Sequence, residues 1–467
     1  MGLISRKHPN VYDVVSVSTW ADLEFVYHRS ACYLRRMASS TAQNLAALFA
    51  GKLKPSVLSD REIINFFLHT GAASYLKYDK RKKVFGYCFE YIKSYILHKG
   101  YYLDVREVRF TKEEVIAIAA GGKIYFKSKV SAADWKLLKL HLQTIMGFMI
   151  PATQHNWVHF CLPSAVAVNC EKLLPKTSVL RQLVEPHYRF TERLNHQALF
   201  VCHSSDNRNS FFDKYLKPWL AFPMTKEVFI EQLSKECQRY YNKRPEEFCP
   251  SPFLHDENLI DIPYIKMLRK YHSVVRRFVC QVALFIDPEE WQIIAESIGI
   301  TLSGIEVLPM ADLLTTFIWQ VSVVHSLDHE IYVNMLSRNY PWSLAINVPF
   351  EPYSNTKFWE DFCEERGLKL AEIMKDPARK LITSGDCLRS ASFAQVWATF
   401  IPPLFNEKAL QLTSVAYQFE DRELQQAAKS FKANLIAAEQ ELREEFEKDG
   451  ELEYFSGLDC IRQSICF

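Results

Sequence analysis

Leu314-Thr-Thr-Phe-Ile-Trp-Gln-Val-Ser-Val-Val-His325-Ser-Leu-Asp-His329 is apolar for most of its length and ends on two histidines four residues apart. It predicts a long apolar helix over residues 311–336. A helix that is hydrophobic on all sides belongs in the core of a large domain. Positions i and i+4 of a helix share one face with Cβ atoms ~5–6 Å apart, so two imidazoles so placed can reach one ion. A second pair, His155 and His159, repeats the spacing; it follows Met146-Gly-Phe-Met-Ile150 and encloses Trp157 and Val158. Fourteen His in 467 residues give about 0.4 such pairs by chance, 14 × 14/467. Two pairs, both in apolar helical stretches, therefore point to a shared metal site, with satisfied core or surface histidines as the alternative. Neutral imidazoles suit Fe, Zn, Cu or Ni, so the spacing names no metal.

Helical periodicity continues outward from these pairs. Residues 20–50 keep apolar positions three and four apart and end at Gly51; 132–149, 225–243 and 260–287 read the same way. The stretch 288–299 opens with Pro288 at the first helical position, after Asp287. Residues 421–448 form a charged, amphipathic helix. Strand signals are few: 123–126 and a run near 105–110. Loops are expected at 79–83, 203–210, 246–264 and 340–354. The reading is a mainly α fold, one large helical domain over 1–467 with few short strands. Its helical N-terminal part, 1–130, packs on a metal-site core, 135–467.

Composition removes several classes. Formal charge is +2, so there is no broad electrostatic case for nucleic acid. Glycine is scarce, 14 in the chain, and no Gly-rich phosphate loop, G-x-S-x-G or H-E-x-x-H occurs. Twelve cysteines form no C-x-x-C pair, which fits a reducing, cytoplasmic setting better than a disulfide framework. The opening residues carry no apolar signal region. No apolar run approaches ~18 residues, so no transmembrane segment is expected. Oligomeric state has no signature here.

At this point the residues resemble a family. The segment ending His325-Ser-Leu-Asp-His329 resembles the metal-binding helix of lipoxygenases, where a His is followed four residues later by an Asn or His ligand. Trp135-Lys-Leu-Leu-Lys139 and a helix-length gap before His155 and His159 are similar to the family's W-x-L-A-K segment and its first two ligands. Three residues separate this first pair, as in the manganese lipoxygenases. Leu183-Val-Glu-Pro-His187-Tyr-Arg189-Phe-Thr191 looks like L-x-P-H-x-R-x-T, and Ile461-Arg-Gln-Ser-Ile-Cys-Phe467 looks like I-P-N-S-I-x-I. These matches run in the family's order over residues 135–467.

The resemblance implies a lipoxygenase-like catalytic domain without an N-terminal β-barrel. It implies one Fe ion, or alternatively Mn, held by His155, His159, His325, His329 and the main-chain carboxylate of Phe467. It also implies hydrogen abstraction from an activated methylene, then O2 insertion to give a hydroperoxide, with no catalytic side chain beyond the metal-bound hydroxide. The expected substrate is a polyunsaturated fatty acid or similar lipid-like molecule. Gln154 and Gln320, which precede the two pairs, are candidates to support the ligands, with plain amides the alternative. Ser205 falls near the family's small oxygen-steering residue. Its neighbours His203, Asp206, Asn207 and Arg208 are polar, as in a solvent loop or a pocket for a polar substrate. Two other functions stay open: an oxygenase of this fold acting on a non-fatty-acid intermediate, and a catalytically inert helical binding protein.

Overall fold

The computed structural model describes residues 55–89, 97, 100–152, 154–188, 191, 195, 231, 234–235, 259, 261–299, 307–330, 346–383, 386 and 411–465. Its N-terminal part opens on helix α1, Asp60–Leu68, capped by Ser59, whose side chain accepts from the Glu62 amide while Glu62 reaches back to the Ser59 backbone. A five-stranded antiparallel sheet follows in simple order: β1 Lys77–Asp79, β2 Val84–Cys88, β3 Val105–Phe110, β4 Val115–Ala120 and β5 Lys123–Phe126. The last hairpin turns at Gly121 and Gly122, with φ of +53° and +79°; a two-residue turn with both φ positive matches the strand twist, and glycine adopts it without strain. The first hairpin turns through the Asp79–Lys83 charge run, where Asp79 Oδ1 accepts from the amides of Arg81 and Lys82.

This sheet corrects the expectation of a helical 1–130. Two strands, 105–110 and 123–126, stand where the sequence predicts them; the other three do not appear in the prediction. Val115-Ile-Ala-Ile-Ala-Ala mixes β-branched and Ala residues, so local propensity leaves it ambiguous. Pairing with β3 on one side and β5 on the other settles it.

Helices carry the rest. They are α2 Ala132–Ala152, α3 Gln154–Phe160, α4 Leu162–Leu173, α5 Val179–Tyr188, α6 Pro263–Ala283, α7 Pro288–Ser297 and α8 Val307–Trp319. Next come α9 Thr356–Arg366, the short α10 Leu370–Lys375 and α11 Pro377–Leu381, and the long α12 Arg422–Lys448. The expected helices at 132–149, 260–287, 288–299 and 421–448 all fall here; those at 20–50 and 225–243 lie outside or almost wholly outside the described residues. One buried core joins residues from the sheet, the helices and the 458–465 tail.

α8 passes directly into a π-helical turn, Gln320–Val324, and returns to α-helix at His325. The helix Val307–Glu330 spans 24 residues and holds an 18-residue window of mean hydropathy 1.5, long and apolar enough by composition to cross a membrane. Most of that stretch, 72%, is buried inside the fold, which is the pattern of a core helix. Its partner is α6, with Arg276 Nε 2.7 Å from Asp312 Oδ1 at the exposed rim. α12 covers the other side of α6 through the stacked rings of Phe278 and Phe431, 4.4 Å between centroids. Burying side chains of this size stabilises by ~1.5–3 kcal/mol each.

Candidate metal centre

Two elements supply the four histidines. α3 carries His155 and His159 on one face, and the turn after the π segment carries His325 and His329. All four are buried. Ring centroids lie 4.5 Å apart for His155 and His159, 4.7 Å for His325 and His329, and 4.8 Å for His155 and His325. One ring nitrogen each from His155, His325 and His329 falls within 4.8 Å of the others. His159 closes the group: its Nε2 is 2.9 Å from His155 Nε2 and 3.1 Å from His325 Nε2.

The hydrogen bonds behind these rings decide where the lone pairs point. Asn195 Nδ2 donates to the His159 carbonyl and to Ser164 Oγ, so Asn195 Oδ1 is the acceptor facing His159 Nδ1 at 2.8 Å. That places the imidazole proton on Nδ1 and the lone pair on Nε2. His155 Nδ1 lies 3.2 Å from Asp328 Oδ2, an acceptor when ionised, which assigns the same tautomer. With Asp328 ionised, the two Nε2 lone pairs face one another across 2.9 Å. They repel unless a cation sits at the point they share. Nitrogens 2.9 and 3.1 Å apart are close enough that they would share one ion through ~2.1 Å metal–imidazole bonds. The donor set fits a transition-metal ion.

Burial keeps the rings neutral, the form that ligates. It holds His155 well below the ordinary histidine range, helped by the neighbouring His159, His325 and His329. Burial brings His159 down to about 4, against the opposing bond to Asn195. His325 is likewise held well below, by burial and then by His329 and His159. The Asp328 carboxyl is pushed well above the usual carboxylate range by burial, and a cation nearby would draw it back toward the ionised form.

The local sequence builds this arrangement. α3 stops at Phe160, and α4 restarts at Leu162 with Pro163 in its first turn. The break at Cys161 turns the Ser164 hydroxyl onto the His159 carbonyl. On the other side the chain tail runs along the π segment. The Gln463 carbonyl accepts from His187 Nδ1 at 2.6 Å and from Ser322 Oγ at 3.0 Å, while Tyr417 OH donates to His187 Nε2 at 2.8 Å. The Arg462 amide donates to Ser326 Oγ, one residue past His325. Ile465 is fully buried, and Phe467 lies outside the described residues.

The structure thus brings the four expected histidines together. Gln320 is buried one turn before His325. Gln154 is described in its backbone alone, and Arg189 and Ser205 lie outside the described residues. Asp328, Asn195 and Ser164 are absent from the sequence reading. Asp328 carried a signal, as an acid within a largely apolar run. Asn195 carried none, because its bonds to His159 and Ser164 bridge 36 and 31 residues.

No protein-family model matches the chain, and no curated protein matches its sequence. Solved structures do match its shape. A lipoxygenase solved with arachidonate superposes with a TM-score of 0.68 at 12% identity, covering 99% of this chain and 78% of that one. A fungal lipoxygenase from Fusarium graminearum gives 0.60 at 14%, over 88% and 80%. A calcium-dependent 11R-lipoxygenase gives 0.63 at 13%, over 88% of this chain, which spans 66% of that protein's length. The fold is lipoxygenase-like.

Proposed function

We propose that this chain is a non-haem metal oxygenase of lipoxygenase type, with His155, His159, His325 and His329 holding one iron ion, or manganese in its place. The observation that carries the proposal is the convergence of four buried imidazoles, with the Nε2 atoms of His155 and His159 2.9 Å apart and that of His325 3.1 Å from His159. The lipoxygenase-like fold supports the same reading. Bound there, iron or manganese supplies one-electron redox chemistry, the kind that removes a hydrogen atom from a doubly activated methylene before O2 adds.

This chain's residues have separate tasks. Asn195 holds the proton on His159 Nδ1 and so keeps Nε2 pointed inward. Ser164 fastens the His159 backbone. Burial excludes water and keeps the imidazoles unprotonated. Ser322 and His187 grip the Gln463 carbonyl and so direct the last residues, with the Phe467 carboxylate as the proposed fifth, anionic ligand. The proposed substrate is a polyunsaturated fatty acid, and the arachidonate complex of a structural neighbour supports that class.

The test pairs metal analysis with turnover. Chain purified after expression with iron or manganese should carry one ion, consume O2 with linoleate, and develop conjugated-diene absorbance. A loaded chain that takes up O2 with no polyunsaturated lipid overturns the substrate. A chain that retains no metal overturns the centre.

A further inference from the structure

We infer that Asp328 is a positioning residue of the metal centre: its carboxylate holds the Nδ1–H of His155, aims the Nε2 of that ring at the shared point, and sets a negative charge behind the ligand. This rests on the metal-centre reading and adds to it a residue that is not one of the proposed ligands. Asp328 sits on the helix of His325 and His329, yet the ring it meets is His155, 173 residues away on the other ligand helix. The contact therefore ties the two ligand-bearing helices at the point where they must stay in register. Oδ2 and Nδ1 are 3.2 Å apart, and the Asp328 side chain is 0% exposed.

A buried carboxylate is costly unless a positive charge answers it. An ion among the four imidazoles would place a positive charge close to the acid behind His155, and the two would complement each other. Carboxylate–histidine–metal arrangements fix ring orientation and make the ligand a stronger donor. The added charge favours a trivalent over a divalent ion, the state that accepts an electron first in the proposed chemistry.

Asp328→Asn separates charge from geometry, because Asn keeps an oxygen that accepts from His155 Nδ1–H. Asp328→Leu removes both. Full-length wild type and variants are compared by anaerobic Fe(II) competition against a chelator, by the midpoint potential of the bound iron, and by far-UV circular dichroism and thermal unfolding without metal. Asn should bind Fe(II) at least ~10-fold more weakly, and Leu more weakly still. The potential in Asn should rise, by ~59 mV for each tenfold loss of preference for Fe(III) over Fe(II). Metal-free Asn protein should unfold no earlier than wild type, which a purely structural role for the charge would not produce. Wild-type affinity and potential in the Asn variant overturn the role of Asp328 while leaving the centre standing. Wild type that takes up no Fe(II) overturns both.

Discussion

His155 and His159 bring their Nε2 atoms within 2.9 Å of each other, a separation that a shared cation or a single proton between them satisfies. Removing a ligand tests the cation at a single residue. His329→Ala should lose bound metal while the helices persist; occupancy equal to wild type would show that His329 is misplaced as a ligand. A different buried histidine tests the protein without the metal. His141 on α2 lies edge-on to Phe350, 5.6 Å between centroids, and neither ring nitrogen has a hydrogen-bond partner among the described residues. Burial depresses its pKa to about 3. Between pH ~6.5 and that value the unfolded chain binds one more proton than the folded one. The stability this gives is therefore full above pH ~6.5 and drains away as pH falls, by ~1.4 kcal/mol per unit in that window. His141→Leu removes this loss and relieves an unsatisfied polar group, so it should stabilise by about 1 kcal/mol at pH 7 and by more at pH 4.5. Denaturant melts at both pH values decide it, and equal gains at the two would contradict the burial argument.

The π turn, Gln320–Val324, widens α8 just before the second histidine pair and exposes the Ser322 hydroxyl to the Gln463 carbonyl. A π turn inside an α-helix is rare and is frequently found at functional sites. Ser322→Ala leaves the bond from His187 in place, so the tail should loosen without detaching. The expected outcome is a several-fold weaker hold on metal with a stability cost near ~1 kcal/mol. Asp421→Ala is the matched control at element scale. Asp421 caps α12 by accepting from the amides of Glu423 and Leu424, and losing such a cap costs ~1 kcal/mol. It should lower the melting temperature as Ser322→Ala does, yet leave metal affinity unchanged. Element scale also shows what the sequence discloses. α6, α7, α8 and α12 were legible because apolar spacing and caps are local, down to Asp287 before Pro288. The π turn was not, since Gln-Val-Ser-Val-Val has the composition of an ordinary core helix. β1 was hidden by its length of three residues, and β4 by its alanines.

Across the whole molecule, the two histidine-bearing helices and the tail come from three distant parts of the chain and meet through long-range bonds. The tail is pinned in sequence. Leu412 donates to the Ile461 carbonyl at 3.0 Å, Arg462 to Ser326 at 2.8 Å, and the Gln463 carbonyl takes two donors. Ser464 and Ile465, the next two residues, are fully buried. Residues added after Phe467 would displace the proposed terminal ligand. They would also convert the proposed carboxylate ligand into a neutral amide. A Gly-Ser extension should therefore abolish metal binding and oxygen uptake. Far-UV circular dichroism should hardly change, because most of the helices are built from contacts the tail does not make. An extended chain with full metal and full turnover would exclude the terminal carboxylate as a ligand. The four imidazoles and Asp328 would then be the groups left to account for both.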